Sequence, residues 1–284
     1  MIKKHIISEK APVLSMLLAS GLAMLVTGIV STPFSGILND LVLSIASIAV
    51  LLIFHWWFSP EFKGDFKVRI PVGELCIILI PFVAKCVLTI VSEAVDNSLM
   101  FKPSIEAVTM GIVAGCAEET WFRGLAVPIG MGYLDKKNRI PLTVAVTSVF
   151  FGVLHIGNIF AGAGVAKGVI QSIATIFAGF LFIAVYLRSG SIVVPIIMHG
   201  FYDWLCFVTD SSLEGGVMVG NEIGFGLILA LLLDVVVGLV GLYLIRPAMW
   251  GRIDQVWSQI WDRQPQKLAS PAPSAQPRHG KHSR

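Results

Sequence analysis

Long apolar runs constrain this chain more than any other feature. Stretches of roughly 17–25 residues, the length that crosses a hydrocarbon core, lie at about 12–32, 41–58, 71–93, 104–130, 141–159, 168–187, 191–209 and 222–245. Such continuous runs predict helices, because an outer-membrane barrel alternates apolar and polar residues in short segments. With 55% hydrophobic and only 14% charged residues, where soluble domains carry about a quarter charged, a soluble fold is excluded. The expected fold is all-α: a polytopic integral membrane protein of about eight transmembrane helices. The first run follows Lys3, Lys4 and Lys10 but exceeds a signal-peptide apolar region of about 7–15 residues. It reads as an uncleaved first span.

Eight spans place both termini on one side, and the basic residues give an independent check, since short cytoplasmic loops collect Lys and Arg. Seventeen of the 21 Lys and Arg fall on the side of the termini, against Lys102 and Lys167 on the other, with Lys85 and Arg123 inside spans. A missed or invented span would have scattered this asymmetry. Both termini are therefore expected in the cytoplasm, and the location expected is a bacterial plasma membrane. The net charge of +3 follows from topology and calls for no nucleic-acid partner. Cys76, Cys86, Cys116 and Cys206 sit singly in apolar runs, without the spacing of a disulfide framework or zinc ribbon.

The transmembrane domain is expected over 1–247. Beyond it, Trp250, Ile253, Trp257, Ile260 and Trp261 recur at helical spacing, predicting an amphipathic interfacial helix over 248–263. Residues 264–284, rich in Pro, Ser and Ala, predict a disordered cytoplasmic tail.

Each charge at bilayer depth costs on the order of 2.5–3.5 kcal/mol and so asks for a partner or a function. The densest group is GIVAGCAEETWFRG, Gly111–Gly124. Glu119 and Arg123 stand at i and i+4, in the order that favours pairing on one helix face, which leaves Glu118 free for chemistry. Gly111 and Gly115 give a GxxxG face for close helix approach. The next span, VFFGVLHIGN, carries His155, with Asn158 near the same face. A later one, PIIMHGFYDW, sets His199 and Asp203 at i and i+4, where the carboxylate can fix the imidazole tautomer. At about 1.5 Å per residue, Glu118 lies roughly 18 Å, His155 roughly 21 Å and His199 roughly 12 Å from the cytoplasmic ends of their spans. All three can share one layer. Asp234 and Lys85 are candidates for a structural pair, and Glu74 and His55, near span ends, are expected to snorkel.

These residues leave several chemistries open: acid-base activation of water, a zinc site of Glu118, His155 and His199, a proton relay or transporter, and a scaffold without catalysis. No internal repeat points to a two-half transporter.

The motifs resemble those of the CPBP family, the CAAX protease and bacteriocin-processing (Abi) proteins that include type II CAAX prenyl endopeptidases. Its EExxxR, FxxxH and HxxxN patterns are matched by Glu118-Glu119-Thr-Trp-Phe-Arg123, Phe151-Gly-Val-Leu-His155 and His199-Gly-Phe-Tyr-Asp203, in a core of about 105–209. The resemblance implies an intramembrane glutamic endopeptidase without metal or cofactor. Glu118 and His155 would activate water, and His199 with residue 203 would stabilise the oxyanion. Its substrate would be a peptide or protein, lipidated or membrane-associated, though some relatives are known only as immunity proteins. Asp203 departs from the usual Asn. Either it keeps a proton and donates it, or, the reading preferred from sequence, it contacts His199 directly and holds that ring as an imidazolium.

Overall fold

The computed structural model describes residues 6–211, 213–214, 217–218 and 222–261. After a short α1 (Ile6–Lys10) come α2 (Pro12–Ser31), α3 (Gly36–Trp57), α4 (Val72–Val95), α5 (Ile105–Val113) and α6 (Ala126–Tyr133). They are followed by α7 (Arg139–Leu154), α8 (Val165–Ser189), α9 (Val193–Thr209), α10 (Phe225–Leu244) and α11 (Trp250–Ile260). Among the described residues the only sheet is a pair of two-residue strands, β1 (Leu213–Glu214) and β2 (Val217–Met218). The protein is an all-α polytopic membrane protein.

Among the described residues, six helices are long and apolar enough to cross a membrane: α2, α3, α4, α8, α10, and α7 with the 3-10 turn that extends it to Ile159. The other two apolar runs take different forms. One is the 17-residue α9. The other, read from sequence as one regular span, is α5 and α6 joined through two π-helical turns, Ala114–Glu118 and Thr120–Gly124. The i to i+5 bond from Leu125 N to Thr120 O (3.2 Å) belongs to the second turn. Such turns widen a helix locally and recur at functional sites. Here they carry Glu118 and Arg123 and flank Glu119.

Helix α8 is the axis of the bundle. Half of its apolar window is buried, against 17–22% for α2, α3 and α10, whose outward faces carry Leu18, Leu22, Ile45, Leu52, Leu232 and Leu239 in the exposed positions expected of lipid contacts. A left-handed glycine, Gly190 (φ 70°), ends it, its N–H donating to Tyr186 O at 2.8 Å. The Gly111 and Gly115 face serves an intramolecular neighbour, α9. A Cβ at Gly115 would fall 2.5 Å from Ile196 O, and one at Gly111 2.6 Å from Gly200 O.

The basic end of the bundle is closed. Leu51, Phe58, Phe62, Leu125, Val127, Ile183, Tyr186, Leu187 and Ile192 form one buried cluster there. Helix α11 lays Ile253, Trp257 and Ile260 into it, with Trp257 Nε1 donating to Leu187 O at 3.1 Å. The predicted amphipathic helix is present, and the bundle itself covers its apolar face. His55 and Glu74 do not snorkel: His55 Nδ1 donates to Leu51 O (2.7 Å) while Nε2 contacts Asp65 (2.5 Å), and Glu74 pairs with Arg188 and Arg252. Loop 58–71 and α11 fold back to supply these partners. The tail 264–284 lies outside the described residues.

Candidate functional site

The π turns bring Glu119 and Arg123 inward, where both side chains are fully buried. Arg123 Nη1 donates to Glu119 Oε1 at 2.9 Å. The guanidinium lies over the Phe151 ring, 4.2 Å from its centroid, and a Cβ at Gly179 of α8 would stand 3.2 Å from Nη2. A buried guanidinium thus has one carboxylate and two aromatic rings, Phe151 and Phe182 (5.7 Å), for compensation.

The same Oε1 of Glu119 also accepts from His199 Nδ1 at 2.8 Å. This contact was not legible in sequence, and it revises the role expected of Asp203. His199 Nε2 faces Asp203 Oδ1 at 3.6 Å and Glu118 Oε2 at 3.8 Å, beyond hydrogen-bond length. The ring is therefore oriented by Glu119 on another helix and not by the i,i+4 carboxylate. The cause is geometric: with Nδ1 bound to Glu119, Asp203 one turn on meets only the opposite nitrogen.

Glu118 remains uncommitted. Its side chain is a quarter exposed, and among the described residues its Oε2 accepts no hydrogen bond. Helix α7 tightens into a 3-10 turn at His155–Ile159. There His155 Nδ1 donates to Phe151 O at 2.9 Å, which leaves Nε2 as the nitrogen with a free lone pair. Phe151 is the hub between the motifs, its ring edge-on to both His155 (4.7 Å) and His199 (5.6 Å) and facing Arg123. Asn158, three residues on in the 3-10 turn and so on the same side as His155, donates to Gln171 Oε1 at 3.0 Å and ties the turn to α8.

A cavity of about 410 Å³ lies between α4, α8, α9 and α10. Its wall includes His155, His199, Asp203 and Gln171, and also the Lys85–Asp234 pair, which matches the pairing considered from sequence. Glu118 is not in the wall and adjoins it through His199. Among the described residues no group of three His, Cys, Asp or Glu is arranged to hold a metal ion. The four cysteines are free thiols.

The cavity wall thus carries two imidazoles and the Asp203 carboxylate, backed through His199 by Glu118, Glu119 and Arg123. Residues 100–205, a little over a third of the chain, match the family model for Type II CAAX prenyl endopeptidase Rce1-like. This stretch, which holds both glutamates, both histidines and Asp203, is thus similar to a family of membrane endopeptidases, and it lies in a multi-pass helical membrane protein. No curated protein and no solved structure matches the chain.

Proposed function

We propose that this protein hydrolyses a peptide bond of a membrane-associated protein or peptide by a glutamate and histidine mechanism. The observation that carries the proposal is the way Glu119 seizes His199 Nδ1 and so turns Nε2 toward Glu118 and Asp203 beside the cavity. Glu118, whose Oε2 accepts no hydrogen bond among the described residues, takes a proton from a water as the water oxygen attacks the scissile carbonyl. His199, held as an imidazolium by Glu119 at Nδ1 and by the nearby Asp203 and Glu118 carboxylates, donates from Nε2–H to the oxyanion that forms. His155, neutral and with Nε2 unprotonated, assists proton transfer, and the abstracted proton passes to the leaving amine as the tetrahedral intermediate breaks. Glu119 and Arg123 are positioning residues in this scheme, and Asn158 steadies the turn carrying His155.

General acid-base catalysis supplies roughly 10²–10⁴ in rate and an oxyanion donor about 10²–10³. Multiplied, these give about 10⁴–10⁷, the low end of enzymatic accelerations, and holding the peptide in the reacting geometry supplies more. The basic loops support a cytoplasmic placement of both termini.

The test is turnover of fluorogenic peptides by purified protein in lipid nanodiscs, with and without a strong chelator, alongside metal analysis. The mechanism requires activity that survives chelation without stoichiometric zinc. Loss of activity on chelation, restored by zinc, would assign Glu118, His155 and His199 to a metal site instead.

A further inference from the structure

The cavity occupies one half of the bundle only, and that half decides from which side a substrate reaches the site. On α4 the lining residues run from Lys85 to Glu93, on α8 from Lys167 to Phe182, on α9 from His199 to Phe207 and on α10 from Gly226 to Asp234. In every case this is the end remote from Arg69, Arg188 and Arg246. Toward the basic end α8 is sealed, with Leu181 to Ser191 all buried and most of them without exposed surface. Helix α11 closes the same end from outside through Trp257 and Ile260. At the other end the cavity wall continues through Asp96, Ser98 and Asp210 to Glu222, which is exposed.

The electrostatics of this vestibule are acidic. With Lys85 paired to Asp234, the wall also carries Glu93, Asp96, Asp203 and Glu222 beside the two histidines. Asp96 is partly engaged, accepting from Gly226 N and Leu227 N at 2.7 and 3.0 Å. Glu93 is different. Its residue is 6% exposed and lines the cavity; Thr209 is a side-chain hydrogen-bond partner of the carboxylate, while the buried Oε2 has none among the described residues. A buried carboxylate oxygen in a water-accessible wall is a receptor for a cationic group.

We propose that the cavity is a substrate vestibule entered from the non-cytoplasmic face, in which Glu93 receives a cationic group of the peptide being cleaved. The inference rests on the peptidase reading for its chemistry. It points to substrates presented outside the cytoplasm and not to cytoplasmic C-termini. Glu93 lies beside Thr209, ten residues along α9 from His199, which is about 15 Å of helix. At about 3.3 Å per extended residue, the Lys, Arg or terminal ammonium belongs about four or five positions from the scissile bond.

Cys206, on the cavity wall between His199 and Thr209, is a native probe whose labelling is independent of turnover. With Cys76, Cys86 and Cys116 replaced by Ala in the full chain, Cys206 is titrated in right-side-out and inside-out vesicles. The probes are an impermeant cationic methanethiosulfonate and its anionic sulfonate counterpart. Lys137→Cys, in an exposed basic loop, marks the opposite face in a parallel sample. Cys206 should react at least ~10-fold faster from the face away from Lys137→Cys, and at least ~10-fold faster with the cation than with the anion. Glu93→Gln should cut that charge preference several-fold. Exposed Glu222→Gln should cut it by less, and serves as the well-folded comparison. Labelling from the Lys137 side, labelling from neither side, or indifference to reagent charge would overturn the proposal. Because no cleavage is read, an absence of peptidase activity would count against the protease reading and leave this result standing.

Discussion

Replacing Glu119 by Gln separates holding the site together from doing its chemistry. The Glu119 carboxylate is fully buried and accepts from Arg123 at 2.9 Å and His199 at 2.8 Å. Its neutralisation leaves the Arg123 guanidinium, also fully buried, without a counter-charge. Breaking a buried pair from one side costs about 3–5 kcal/mol. At roughly 2–4 °C per kcal/mol for a domain of ~200 residues, the melting temperature in detergent should fall by about 6–20 °C. Activity should fall about 100-fold or more, since His199 loses the acceptor that sets its ring and a misplacement near 1 Å has that effect. Glu118→Gln provides the contrast: that side chain is a quarter exposed and its Oε2 accepts no hydrogen bond, so melting should stay within a few degrees while turnover is lost. The double change Glu119→Gln with Arg123→Met should recover part of the stability and none of the activity. Scanning fluorimetry and peptide turnover on the same preparations check all three. A Glu119→Gln protein that melts with wild type, or a Glu118→Gln protein that melts as low as Glu119→Gln, would refute the division of labour between the two glutamates.

Asp203→Asn should keep turnover within about tenfold, because the ring is already oriented by Glu119 and the Asp203 carboxylate stands 3.6 Å from Nε2, whereas Asp203→Ala should lose more; peptide kinetics on both variants decide this. Gly115→Ala, with its Cβ 2.5 Å from Ile196 O, should push α9 and His199 away and cost about 1–3 kcal/mol, measured by melting, while Gly28→Ala, which meets nothing within 4 Å, should be silent. Lys85→Met should destabilise by about 3–5 kcal/mol through the stranded Asp234, and Lys85→Met with Asp234→Leu should restore most of it, again by thermal melting.

The spans were legible in sequence because hydropathy is a local property, and each apolar run is found as helix. The Glu119–Arg123 and Lys85–Asp234 contacts were legible too, the first from i,i+4 spacing and the second because two isolated charges in lipid need each other. The π turns were not. They answer to the close approach of Gly115 to Gly200 of α9 and to the burial of Glu119 and Arg123, which are tertiary conditions. For the same reason Asp203 was expected to hold His199: the spacing exposed the near partner and concealed Glu119, 80 residues away. His55 and Glu74 were expected to reach for the interface, yet Asp65, Arg188 and Arg252 occupy them once loop 58–71 and α11 fold back. Nor could the sequence locate the cavity, which exists only where four helix halves diverge.

The central claim is that Glu118 and His155 serve one water. The most direct measurement is kcat for a cleaved peptide with purified wild type, Glu118→Ala, His155→Ala and the double variant. The account predicts that each single change lowers kcat by roughly 10²–10⁴ and that the double variant falls little further than the worse single one, as for residues acting as a unit. Turnover in either single variant equal to wild type, or losses in the double variant that multiply in full, would contradict it.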